Sequence, residues 1–218
     1  MASRTWIWLI LFSGASPAWP GDLFEGWKLE MEVGYLRPVG RIHDTFDRGV
    51  SAGFAVGRRI FSDVVAEGGV RLGDMGFSAT ETVTTRECVR TQGQVLCVTG
   101  PATQRGSFNA FALGLSVPAR VDSRGRLLQL GAGVLFGRYS ISPGGNQLGA
   151  RSGPGFYVKL AGDLLPIGTA GSVGLLLRGA RVSTRGDSFG TSLPSKTSDT
   201  WIAVNVLLRL GPRASRRP

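Results

Sequence analysis

The sequence predicts an all-β fold: an eight-stranded antiparallel up-and-down transmembrane β-barrel. Three observations carry this. Eight segments alternate apolar with small or polar residues at period two, the charges of those segments gather on one face, and the connections between them alternate long with short.

The segments are Trp27–Arg37, Val50–Arg59, Val64–Gly73, Ser107–Val117, Leu127–Tyr139, Gly155–Asp163, Ser172–Val182 and Thr200–Leu210. Each is close to the length of a tilted strand that crosses a hydrocarbon layer, and none holds a helical period for long. The 33 glycines of the 218-residue chain follow no triplet repeat, and many are scattered inside these segments, where a tight barrel interior or a bend would use them.

One face of the first segment carries Trp27, Leu29, Met31, Val33 and Tyr35, and the later segments continue it with residues such as Phe54, Leu113, Val134, Val158 and Val206. The other face carries Lys28, Glu30, Glu32, Glu67, Arg71, Lys159, Asp163, Arg178 and Arg209, diluted by Gly, Ala and Ser. Four acids against five bases nearly cancel, which predicts a network of ion pairs inside the barrel. A soluble barrel would turn the charged face to water. Eight strands enclose only side chains, so this distribution places the apolar face in lipid. Trp27 and Tyr35 bracket the first segment on the apolar face, ~20 Å apart along the membrane normal for a strand tilted by ~40°, close to the spacing of two aromatic girdles.

In chain order the connections are Pro38–Gly49 (long), Ile60–Asp63 (short), Asp74–Gly106 (very long), Pro118–Arg126 (intermediate), Ser140–Pro154 (long), Leu164–Gly171 (short) and Ser183–Asp199 (long). Long outer loops and short inner turns are the asymmetry of a barrel entered from the periplasm. A soluble secreted β-sandwich, the rival all-β architecture, has no general reason to sort its loops this way.

Residues 1–18 predict a cleaved signal peptide. Arg4 supplies a positive start, Trp6–Phe12 an apolar core, and Ser16-Pro-Ala18 small residues before a cut. Cleavage removes Arg4 alone, so the net charge falls from +10 to +9. The basic excess raises nucleic acid as a partner, but no cationic stripe with interleaved aromatics supports it. Arginines at segment ends and in the tail fit anionic headgroups or phosphorylated lipopolysaccharide.

Cys88 and Cys97 lie in the longest connection. A two-residue turn at Gln92-Gly93 sets Cys88 opposite Cys97 in a non-hydrogen-bonded pair, which suits a structural disulfide in an exported hairpin. Two cysteines without nearby histidine do not make a metal site. His43, the single histidine, stands in the first outer connection beside Asp44 and Thr45, with Asp74 and Ser78 on the same side. The simplest account is a solvated loop residue, because no deacylase-type His-x-Ser motif accompanies it. Glu30 and Glu32 point the same way, but facing cations make ion pairing simpler than acid–base chemistry. No phosphate-binding loop, dinucleotide fingerprint or metal-ligand cluster is present, so no cofactor is expected.

With these features, residues 27–210 resemble the OmpA/OmpX-type family of small outer-membrane barrels. The final segment, Trp201–Leu210, looks like the C-terminal assembly signal of such barrels. It departs from the family pattern in continuing to a basic tail, residues 211–218, instead of ending on an aromatic. The domain plan is therefore signal peptide 1–18, barrel 19–210 and tail 211–218. The resemblance implies a bacterial outer-membrane location, a packed lumen and a non-enzymatic structural or surface-interaction role as a monomer. The expected partners are outer-membrane lipids and lipopolysaccharide, with a surface protein as an open alternative. Two other classes stay open: a lipid A or phospholipid modifying enzyme acting through His43, and an OmpW-like conduit for small hydrophobic molecules.

Overall fold

The computed structural model describes residues 26–40, 46–61, 63–77, 84–91, 94–101, 104–121, 127–143, 149–168, 171–186 and 195–211. They form ten strands: β1 (Trp27–Val39), β2 (Phe46–Arg59), β3 (Val65–Phe77), β4 (Thr84–Thr91), β5 (Gln94–Pro101), β6 (Gln104–Val121), β7 (Leu127–Pro143), β8 (Gly149–Ile167), β9 (Gly171–Gly186) and β10 (Lys196–Leu210). Eight of them close an antiparallel barrel in the order β1-β10-β9-β8-β7-β6-β3-β2, and β4 pairs with β5 in a separate two-stranded sheet. The expected segments are thus the barrel strands in their expected order. The predicted signal peptide, His43 and the tail beyond Gly211 lie outside the described residues.

The register fixes the shape of the barrel. A path across hydrogen-bonded neighbours from Leu29 passes Val56, Gly68, Leu113, Val134, Phe156, Arg181 and Thr200, and returns to β1 at Val39, ten residues further on. For eight strands that offset implies a tilt of ~40° and a radius of ~8 Å, so each residue climbs ~2.5 Å along the axis. Such a barrel has no open edge and no room for a water-filled pore.

The alternation of faces follows from the pleat. Trp27, Val33, Tyr35, Val50, Phe54, Val70, Leu72, Phe111, Leu113, Val134, Phe136, Phe156, Val158, Ile202, Val204 and Val206 are exposed on the outer surface. Glu30, Glu32, Glu67, Arg71, Lys159, Arg178 and Arg209 are buried in the interior. The Arg58 guanidinium stacks on Trp27, 5.3 Å from the ring centre, at the end of the barrel that carries the short turns.

The connection lengths require a correction. The strands run beyond the expected segments at the long-loop end, so β7 and β8 are separated only by residues 144–148 instead of Ser140–Pro154. That connection is no longer than residues 122–126, between β6 and β7. Hydrogen bonding between neighbouring strands continues past the apolar band and converts expected loop into barrel wall. The largest connection keeps its rank and contains the β4–β5 hairpin. Bulges interrupt the register at Pro118/Arg120 and at Asp163/Leu165, both near the short-turn end. The second leaves Leu164 and Leu165 exposed while Asp163 still reaches the lumen.

Candidate functional site

The lumen is the most constructed part of the molecule, and it is built in three storeys. The first lies at the short-turn end. Lys159, whose side chain is 0% exposed, bonds Glu30 Oε2 at 3.0 Å from β1 and Glu67 Oε2 at 2.5 Å from β3. Lys28 Nζ adds contacts to Glu30 at 2.9 Å and Glu67 at 3.6 Å. Arg209 reaches Glu30 at 3.2 Å and also pairs with Asp163. Gln129 ties the cations together, because its Oε1 accepts from Lys28 and Arg209 while its Nε2 donates to Ser116. Slightly higher, Glu32 takes both Arg71 and Arg178, the latter at 2.6 Å. The Arg178 guanidinium lies 5.6 Å from the centre of the Tyr157 ring, and the Tyr157 hydroxyl donates to Glu67 at 3.3 Å.

The structure therefore brings together all nine residues of the expected lumen network: Lys28, Glu30, Glu32, Glu67, Arg71, Lys159, Asp163, Arg178 and Arg209. Their chemistry is consumed by pairing. Each carboxylate faces at least one cation, and Glu30 and Glu67, which share Lys159 and Lys28, are both held as ion pairs. Charges in so dry a place are tolerated because each is matched by an opposite one, although Glu32 Oε2 and Arg178 Nη2 are buried without a hydrogen-bond partner among the described residues. Glycines supply the space. A Cβ at Gly53 would collide with Glu32 and Arg71, and one at Gly114 with the Tyr157 hydroxyl.

The second storey is apolar, and sequence reasoning does not anticipate it. Leu36, Phe46, Met75, Phe108, Leu135, Tyr139, Val182 and Trp201 are all buried there in one cluster. Phe108 packs against Tyr139 with ring centres 4.8 Å apart and meets Trp201 edge-on at 5.2 Å. Phe46 lies 5.9 Å from Tyr139 and fills the space over Gly106. The sequence reading places Phe46 in a connection. The parity of Phe108, Tyr139 and Trp201 points them inward, but their shared height does not follow from it.

The third storey, toward the long-loop end, is polar. Arg151, 1% exposed, donates to Thr184 at 3.4 Å and Thr197 at 3.2 Å. Both threonine hydroxyls donate to Asp199 Oδ2, at 2.7 and 3.0 Å. Arg151 falls within an expected loop; counting back by twos from Lys159 and Tyr157 would have marked it as inward-facing.

At the short-turn mouth a cavity of about 100 Å³ is lined in part by Lys28, Arg59, Asp63, Gln129 and Arg209. Above it the apolar storey separates the two polar ends, as a plug would. Among the described residues there is no group of three or more His, Cys, Asp or Glu side chains able to hold a metal ion. In the hairpin, the backbone register pairs Thr91 with Gln94 and Cys88 with Cys97, as a turn at Gln92-Gly93 requires. The side chains of both cysteines lie outside the described residues.

A closed eight-stranded antiparallel barrel, apolar outside and charge-filled inside, defines the class: the fold is that of the small outer-membrane barrels. The structure of Neisserial surface protein A is similar at a TM-score of 0.58, with 10% identity, over 85% of this chain and 97% of that one. The attachment invasion locus protein Ail of Yersinia pestis gives a TM-score of 0.41 at 12% identity, over 84% and 98% of the two chains. A major outer membrane protein from Thermus thermophilus gives 0.42 at 10% identity, over 84% and 98%. No protein-family model matches the sequence, and no curated protein matches it.

Proposed function

We propose that this chain is an integral protein of a bacterial outer membrane with a non-enzymatic role, structural or in surface interaction. The observation that carries the proposal is the inverted distribution of polarity around a lumen that is full. Water solubility would require the reverse, and transport would require a continuous path. The apolar storey of Leu36, Phe46, Phe108, Tyr139 and Trp201 interrupts any such path, which favours this reading over a conduit for small hydrophobic molecules. A protein of similar fold is named as a surface protein, which is in keeping with the proposal.

In this reading the long-loop end faces outward and the β4–β5 hairpin is its largest outward feature, stapled by a Cys88–Cys97 disulfide. The facing register of the two cysteines supports the staple. The barrel is a monomer surrounded by outer-membrane lipids and lipopolysaccharide. The test compares the gel mobility of boiled and unboiled protein from outer-membrane fractions. The folded barrel migrates as a compact band that shifts on boiling. A chain recovered from the soluble periplasm without a shift overturns the proposal.

A further inference from the structure

The outer surface of the barrel carries an unbalanced row of cations. Arg138 on β7 pairs with Ser152 on β8, Ser152 with Arg185 on β9, and Arg185 with Lys196 on β10. Arg138, Arg185 and Lys196 are all exposed and point away from the lumen. The row is three strand spacings long, ~14 Å. Arg181 stands on the same face of β9, below Arg185, and its Nε donates to the Ser198 hydroxyl at 2.7 Å.

Two features separate this row from an ordinary solvated surface. Arg185 and Lys196 are direct cross-strand partners, and like charges so placed repel each other. In addition, among the described residues no acid occupies an outward position on β7, β8, β9 or β10. The wall of β1, β2 and β3 is different, because Asp47 and Asp74 accompany Arg37 and Arg48 there. The row climbs with the strand tilt from Arg138 toward Lys196. Below its lower end the surface becomes apolar, with Phe136, Phe156 and, six residues from Lys196 along β10, Ile202 all exposed. A ligand matching both parts has several anionic groups in its head and hydrocarbon chains beneath them.

We infer that Arg138, Arg185 and Lys196, assisted by Arg181, form a binding site for a multiply phosphorylated glycolipid of the lipid A type. Its phosphates lie along the row and its acyl chains on Phe136, Phe156 and Ile202. The inference rests on the outer-membrane reading, which places the long-loop end in the outer leaflet. A single phosphodiester headgroup would cover only part of a ~14 Å row of strands, so the row selects a lipid with more than one phosphate.

The test uses the full mature chain folded in detergent, titrated with diphosphoryl lipid A and separately with phosphatidylglycerol, at low and high salt. Diphosphoryl lipid A binds more tightly, and added salt weakens it. A triple variant, Arg138→Gln, Arg185→Gln and Lys196→Gln, loses about 100-fold in affinity, from the usual weight of three basic groups at an anionic lipid surface. Arg48→Gln, on β2 across the barrel from β8, leaves it unchanged. Lys196→Glu turns the repelling pair into an attracting one. It raises the unfolding temperature of lipid-free barrel and lowers lipid affinity, which keeps the test decisive if the triple variant folds poorly. Undiminished binding by the triple variant, or equal binding of phosphatidylglycerol, overturns the inference while the boiling-dependent mobility shift stays intact. Absence of that shift in the native chain overturns the barrel reading itself.

Discussion

Replacing Lys159 with methionine removes one ammonium group and keeps most of the volume of its stem. That group contacts Glu30 at 3.0 Å and Glu67 at 2.5 Å, with its own side chain 0% exposed. At the effective dielectric that suits buried pairs, each contact is worth about 5 kcal/mol before desolvation is counted. The cost of drying three charges cancels much of this, and breaking a buried pair by removing one partner typically costs about 3–5 kcal/mol. Lys28 stays 3.6 Å from Glu67, and Glu30 retains Lys28 and Arg209. The lower end, about 3 kcal/mol, is therefore expected for Lys159→Met. Adding Glu67→Gln removes the carboxylate left short of charge and should restore more than half of the loss. The assay is equilibrium urea unfolding of detergent-folded barrel, followed by the compact band on unboiled gels. Lys159→Met within about 0.5 kcal/mol of wild type would refute the network as a stabilising unit, because surface changes usually fall in that range. A double variant as unstable as the single would refute the assignment of Glu67 as the orphaned partner.

Four other outcomes follow from the same structure. Gly114→Val should destabilise by about 1–3 kcal/mol, because its Cβ meets the Tyr157 hydroxyl and the Ala132 carbonyl; outward-facing Gly179→Ala, with only Val158 nearby at 3.9 Å, serves as the neutral control in the same urea assay. Trp201→Ala should cost about 3–5 kcal/mol by opening a cavity in the apolar storey, while the native barrel shows no steady conductance in planar bilayers; pore-like conductance by the native protein would contradict the plug. Unreduced native protein should resist a thiol-reactive label and accept it after reduction, whereas Cys88→Ser should leave the boiling-dependent shift in place, since β4 and β5 stand apart from the barrel sheet. His43→Ala should leave lipid A profiles unchanged on overexpression; an altered profile in the native strain that disappears in the variant would favour the enzymatic alternative.

The sequence by itself determined which side of the wall each residue occupies. The pleat is a local property with period two, so Trp27, Val33 and Tyr35 had to share one face, and Lys28, Glu30 and Glu32 the other. Up-and-down antiparallel order followed from the short and intermediate connections. The facing of Cys88 and Cys97 followed from counting outward from a two-residue turn. Height within the barrel is not local. It depends on tilt and on the ten-residue offset that appears only when β1 meets β10. That offset brings Lys159 on β8 to Glu30 on β1, and divides the inward residues into a charged base, an apolar plug and a polar cap. The pairwise registers of β7 to β10 align Arg138, Arg185 and Lys196 along one hydrogen-bonded row of the outer wall. Strand ends likewise belonged to the tertiary structure. Phe46 and Arg151 lie inside strands because neighbouring strands continue their hydrogen bonding beyond the apolar band, a reason that no window of local sequence contains.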